Sequence, residues 1–262
     1  MTIDPSYEAE ILKWRAERLA ALTAEDGWLN LTDRVEIAPG RMTVGRAASS
    51  DVVISAGPDH LGTLDLDPSG AATLDSGAGP QIFQPVPDNP PRLRTGDLLL
   101  ELTEVEGTHA LRVRDIASPA RSALTALDYF PIDPAWRIVA SWHALPATRE
   151  LEIDLVTGAA ASVRLTHEAR FSMDGEEVTL LPTHRKAGKP MFVIRDRTAG
   201  RETYGAARFL IGDEQGDNLV LDFNKAFSPP CAFTDFAVCP LPPPQNRLSF
   251  DIRAGEKKPP NH

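Results

Sequence analysis

The 262 residues carry 37 acidic side chains against 27 basic ones, a formal net charge of −10, with 42% hydrophobic and 24% charged residues. A chain of this length buries a real core, and its Lys and Arg form no block of the kind a phosphate backbone needs, so no nucleic-acid partner is expected. No apolar run is long enough for a bilayer, and MTIDPSYEAEIL lacks the basic and apolar regions of a leader; the expectation is no membrane partner and a cytoplasmic setting.

In chain order, residues 7–24 place Ile11, Trp14, Leu19 and Leu22 at helical spacing. This predicts an amphipathic helix, with Pro5 suited to its start and Gly27 to its end. Trp14 and Leu19 are expected to pack it onto the body, and residues 1–27 form its segment. Between 31 and 116 the pattern changes to short runs, among them RVEIA, RMTVG, GTLDLD, DLLLELTEV and HALRVRDI, separated by Gly, Pro and Asp. Alternation in TLDLD and LRVRD puts one face inward and one toward water, which predicts a small antiparallel β domain over 28–116. Residues 117–135 read as a boundary, with 117–127 the linker and LTALDYF, at 124–130, a helical turn. From Trp136 the β pattern resumes, with clear alternation in RELEID and SVRLT. Short turns join the runs, so 128–257 is expected to be a larger antiparallel sandwich or barrel built from hairpins. GDEQGDN at 212–218 reads as one such hairpin turn, and 258–262 as a disordered tail.

The stretch 219–257 is too rich in Pro for a helix or central strand and too apolar for a linker. An ordered lid over the mouth of the β structure is the economical reading. In VLDFN read as a strand, Asp222 and Asn224 share one face while Leu221 and Phe223 fill the core. Tyr204, Arg208, Asp222, Asn224, Asn246 and Arg247 are the candidate ligand residues of a pocket under the 224–247 segment. Two arginines point to a small anionic or carboxylate-bearing ligand. Asp222, if desolvated, is a candidate general base for a hydrolase-like or lyase-like enzyme working with Arg208 or Arg247. The same side chains would equally pin a loop whose prolines lack N–H donors.

Cys231 and Cys239 are open to three readings: partly buried thiols, a disulfide closing a small loop, or a reactive thiol approached by His143, His167 or His184. The six histidines show no HxH or HExxH spacing, and GxGxxG and P-loop patterns are absent, so neither a metal nor a cofactor is expected.

Two stretches resemble known families. VGRAASSDVVI, with the later RLRTGDLLLEL, resembles the opening of forkhead-associated (FHA) domains, which are phosphothreonine-binding β-sandwiches. That likeness implies an FHA-like small β-sandwich and a phosphopeptide or protein interaction face at Arg46 and Ser50. The family's serine-to-histidine element is not clear in SAGPDHLGT, and its Asn-Gly stretch is missing from LDSGAG. On the other reading Gly45-Arg46 is a tight turn with a solvent-facing arginine. Separately, TAGRETYGAARFL and LDFNKAFSPPCAFTDFAVCPLPPPQNRLSFDIRAGEK are similar to the signature of DUF1684, a bacterial family of unknown function. The helix with Trp14, GWLNL and DYFPIDPAWRIVA extend the likeness over nearly the whole chain. It marks Thr203, Tyr204, Gly205, Arg208, Asp222, Asn224, Cys231, Cys239, Asn246 and Arg247, and departs at Phe227, where a tyrosine-like residue is usual. It implies no activity. The fold expected is thus all-β: an N-terminal helix, the FHA-like small sandwich, and the larger antiparallel sandwich or barrel.

Overall fold

The first helix, α1 (Pro5–Thr23), begins where its leading amides find a carboxylate. Asp4 Oδ1 accepts from both the Ser6 N–H and the Ser6 hydroxyl at 2.8 Å, while Pro5 has no amide to leave unpaired. Gly27 closes the exit: its N–H returns to Ala24 O, and a Cβ there would lie 2.2 Å from Leu22 O. Only glycine permits that backbone approach. The computed structural model describes residues 3–87, 89–105, 107–173 and 175–259. They divide into two compact units, Ala20–Thr125 and the described residues on either side of it.

The smaller unit is built from β1 (Leu31–Ile37), β2 (Gly40–Gly45), β3 (Val52–Val53), β4 (Gly62–Leu66), β5 (Ala72–Asp75), β6 (Pro80–Ile82), β7 (Gln84–Val86), β8 (Asn89–Thr95), β9 (Leu98–Val105) and β10 (Thr108–Asp115). They form two five-stranded sheets, ordered β1-β10-β9-β8-β7 and β3-β2-β4-β5-β6. Alternation aims Leu64, Leu66 and Leu74 of one sheet and Leu100, Leu111 and Val113 of the other into a single buried cluster. Glu101 breaks the apolar pattern inside β9 and is 1% exposed. It is held by Arg92 Nε at 2.9 Å and by Arg114 Nε and Nη2 at 3.1 and 3.0 Å. The Trp28 ring lies under the Arg114 guanidinium, 5.2 Å from its centroid. A buried carboxylate with two cations and an aromatic neighbour is fully compensated. A short helix, α2 (Ala120–Ala123), follows. LTALDYF itself is not a helical turn: Phe130 N–H donates to Gly255 O at 3.0 Å and Tyr129 bridges Glu256, so backbone pairing with the C-terminal segment holds it extended.

In the larger unit β11 (Arg137–Asp154), β12 (Ala160–Met173), β13 (Glu176–Leu180), β14 (His184–Lys186), β15 (Lys189–Ile194), β16 (Arg208–Gln215) and β17 (Asn218–Asp222) make one sheet. Its order is β13-β12-β11-β17-β16-β15-β14, with antiparallel pairing throughout. Phe171, Leu180, Phe192 and Leu221 on its inner face are covered by Phe223, Leu248, Ile252 and Ala254 of the C-terminal segment. The expected β16–β17 hairpin is present, turning at residues 216–217.

The expectation of a larger sandwich or barrel is corrected. The edge strands β13 and β14 are separated in sequence only by residues 181–183, yet no ladder joins them and the sheet stays open. A side chain takes the place of the missing ladder. Asn246 Oδ1 accepts the Leu181 N–H at 2.8 Å, and Asn246 Nδ2 donates to Leu181 O at 2.8 Å and Val193 O at 2.9 Å. The second layer over the sheet is the C-terminal segment, not another sheet.

The β11–β12 hairpin shifts register between Ala144 and Arg149. Its tip is held by the Pro-rich segment: Val156 N–H donates to Cys239 O at 2.9 Å, and Leu241 N–H to Asp154 O at 2.7 Å. Of the expected tail, Lys258 N–H donates to Glu202 O at 2.9 Å, and residues 260–262 lie outside the described residues. No helix among the described residues is long and apolar enough to cross a membrane.

Candidate functional site

The six candidate ligand residues fall into four separate places. Arg208 opens β16 and is 1% exposed. Its Nη2 donates to Asp196 Oδ2 at 2.7 Å and to Ile252 O at 2.9 Å, and its Nη1 donates to Ala254 O. Asp196 also accepts the Thr198 N–H at 2.8 Å, the Thr198 hydroxyl at 2.5 Å and the Ile252 N–H at 3.2 Å. Burial pushes the Asp196 carboxyl up; the Arg208 charge and the Thr198 donors outweigh it and hold the group below the ordinary 3.8. A carboxyl with a depressed folded value adds stability above its unfolded value and loses it as pH falls through the folded one. Acidification below 3.8 is therefore expected to lower the melting temperature of the native chain more steeply than that of the double variant Asp196→Leu with Arg208→Met, which keeps neither charge. Parallel curves in a pH series of thermal melts would rule this out.

Asn246 sits in the seam described above. Arg247, next in sequence, is exposed and donates from Nε to Pro242 O at 3.3 Å. Tyr204 donates its hydroxyl to Cys231 O at 3.0 Å.

Asp222 and Asn224 do meet, though not as strand neighbours. β17 stops at Asp222 because the Asp222 carboxylate accepts the Asn224 N–H at 3.1 Å and caps a 3-10 turn over Phe223–Lys225. Asn224 is fully buried. Its Oδ1 accepts the Asp133 N–H at 3.1 Å, and its Nδ2 donates to Asp133 O at 2.9 Å. Tyr7, from the first turn of α1, joins them. Its hydroxyl donates to the Asp222 carboxylate at 3.0 Å and accepts from Asn224 Nδ2 at 3.0 Å. Burial first, and then the Asp222 charge, raise the Tyr7 phenol above its ordinary value, so Tyr7 remains a donor. Sequence reading missed Tyr7, as it missed Asp196: neither stands in a motif, and each acts through partners far away in the chain or hidden in an ordinary strand end.

A cavity of about 340 Å³ opens beside Asp222. Glu10 and Trp14 of α1 form one side. Arg137 of β11, Lys189 of β15, Asp213 of β16 and Val220 of β17 form the sheet side, and Lys225 and Phe227 close it. Two of its cations are already paired, Lys225 with Glu10, and Lys189 with Asp213 at 2.7 Å. Arg137 stands opposite Asp222 in the β11–β17 ladder. It is exposed, and no hydrogen bond or ion pair engages its side chain among the described residues.

The Arg46 face lies in the smaller unit. Gly45 allows a close crossing there, since a Cβ would meet Asp59 O at 2.1 Å. Arg46 is exposed and pairs with Asp59 at 3.3 Å. It borders an open groove of about 690 Å³ with Gly57, Thr95 and Gly96, and Ser50 is not on that groove. Cys231 and Cys239 are thiols, not a disulfide. His167 stacks on Trp142, 5.0 Å between centroids, and His184 meets Phe209 edge-on. Among the described residues no group of three or more His, Cys, Asp or Glu is placed to hold a metal ion.

A family model described as a protein of unknown function, DUF1684, matches residues 122–257. No curated protein matches the chain. Among solved structures, the chain is similar to an uncharacterised protein from gene locus rrnAC0354 of Haloarcula marismortui, determined by NMR in solution. The identity is 27% over 55% of this chain and 82% of that one, at a TM-score of 0.44.

Proposed function

The chain belongs to the DUF1684 family of proteins of unknown function, and from that premise we propose that it binds a small carboxylate-bearing molecule in the cavity beside Asp222. The observation that carries the reading is Arg137, the cation on the cavity wall whose donors are not engaged while its two neighbours are paired. A guanidinium presents forked N–H groups that match a carboxylate in two parallel hydrogen bonds. Trp14, Val220 and Phe227 supply the apolar walls that small-molecule sites need, and the volume suits a small metabolite.

Binding is favoured over a hydrolase-like or lyase-like role. Asp222, the candidate base, is occupied by Tyr7 and Asn224, and Arg208 is enclosed with Asp196. On this reading Tyr204, Arg208, Asn246 and Arg247 hold the 224–247 segment in place, and the ligand meets only its beginning, at Lys225 and Phe227. The Arg46 face has weaker support as a phosphopeptide site, since Asp59 already engages Arg46.

The test is thermal stability against a panel of small carboxylic acids and their neutral amides. A true ligand at a hundred times its Kd adds about 2.7 kcal/mol. At least one acid is expected to raise the melting temperature where its amide does not. Arg137→Gln is expected to lose that shift while melting like the native chain without ligand, since the side chain is exposed. Equal shifts from acid and amide, or an unchanged shift in Arg137→Gln, would overturn the reading.

A further inference from the structure

We propose that Cys231 and Cys239 are an oxidisable dithiol, a modification site at which hydrogen peroxide or a related small peroxide produces an intrachain disulfide. The two residues are brought together by the fold of the Pro-rich segment. The Cys231 N–H donates to Cys239 Sγ at 3.3 Å, which sets that sulfur against the backbone of residue 231, within a side-chain rotation of the Cys231 thiol. The exposures are unequal in a useful way. Cys231 is half-buried, so a small oxidant reaches it, whereas Cys239 is 2% exposed and is shielded from solution.

The local chemistry favours Cys231 as the first to react. A hydrogen bond from the Cys239 side chain, opposed by burial and helped by Tyr204, holds the Cys231 thiol below its ordinary value. The Cys231 thiolate attacks the peroxide: an S–O bond forms, the O–O bond breaks, and water leaves after protonation. The Cys239 thiolate then attacks the Cys231 sulfur, the S–S bond forms, the S–O bond breaks, and a second water leaves. The two thiols lose two electrons and two protons, and one hydrogen peroxide becomes two waters.

The product changes what the segment is tied to. The Cys231 carbonyl accepts from Tyr204, and the Cys239 carbonyl accepts from the Val156 N–H at the hairpin tip, with Pro240 bridging Leu155. In the thiol state these anchors are joined only through the backbone of residues 231–239. A disulfide joins them directly and slows opening of the hairpin tip.

The experiment treats the reduced full chain with hydrogen peroxide, alkylates what remains, and reads intact mass, peptide linkage and amide exchange. Expected are the joint loss of both thiols, a mass deficit of two hydrogens, a 231–239 cross-link, and roughly tenfold slower exchange at Val156. In Cys239→Ser the oxidation is expected to stop at a Cys231 sulfenic acid that dimedone traps. In Cys231→Ser the shielded Cys239 is expected to stay a thiol at the same dose. Oxygen addition at native Cys231 with Cys239 unchanged, chain-to-chain cross-linking, or no reaction at a dose that oxidises a free cysteine peptide would each overturn the proposal. The readout on the native chain decides the matter even where a variant does not fold.

Discussion

Arg208→Met is expected to unfold the larger unit under conditions where the native chain is folded. Methionine fills much of the same volume, so the effect is electrical and not a cavity. The substitution leaves the Asp196 carboxylate buried without its cation and removes the donors of the Ile252 and Ala254 carbonyls. Stranding one partner of a buried ion pair costs about 3–5 kcal/mol, a large share of the ~5–15 kcal/mol that holds a typical domain together. The control is the double variant Asp196→Leu with Arg208→Met. Removing both charges at once leaves no orphan ion, and such replacements are close to neutral in other buried pairs. Urea denaturation is expected to show the single variant far below the native chain and the double variant recovering most of the difference. If the double variant is as unstable as the two single losses added together, the pair is not coupled as described.

Asn246→Ala is expected to be the second most damaging change. Three backbone groups, Leu181 N–H, Leu181 O and Val193 O, lose their partner together. Each unpaired buried group costs about 1–3 kcal/mol, and no neighbouring strand is in register to take over, because β13 and β14 do not pair. A loss of roughly 3 kcal/mol or more is expected, with faster amide exchange at Leu181 as its local signature. Asn246→Asp sharpens the test, since a carboxylate accepts from the Leu181 N–H but repels both carbonyls. A loss of less than ~0.5 kcal/mol in the alanine variant, as for an ordinary surface change, would mean that the seam is held by other contacts.

What was legible beforehand follows from local signals. α1 and the turn at Gly27 beyond its end came from helical spacing and a glycine, and the 212–218 hairpin from turn residues between two alternating runs. Those features depend on neighbours within a few positions, and a linear reading captures them. Membership of the family was likewise legible, from the length and specificity of the C-terminal stretch. In VLDFN the local signal is overridden. The alternation is real, but the Asp222 side chain captures the Asn224 N–H and ends the strand before the pattern is complete.

The amino-acid order thus determined the elements: a capped helix, short strands with one apolar face, and a Pro-rich segment unable to join a ladder. It did not determine whether the larger sheet closes, or which polar residues share a site. Tyr7 reaches Asp222 across 215 positions, and Asn246 reaches Leu181 across 65. Hydrogen bonds of that reach leave no periodicity in the chain, because their geometry exists only once the strands have stacked and the C-terminal segment has folded over them.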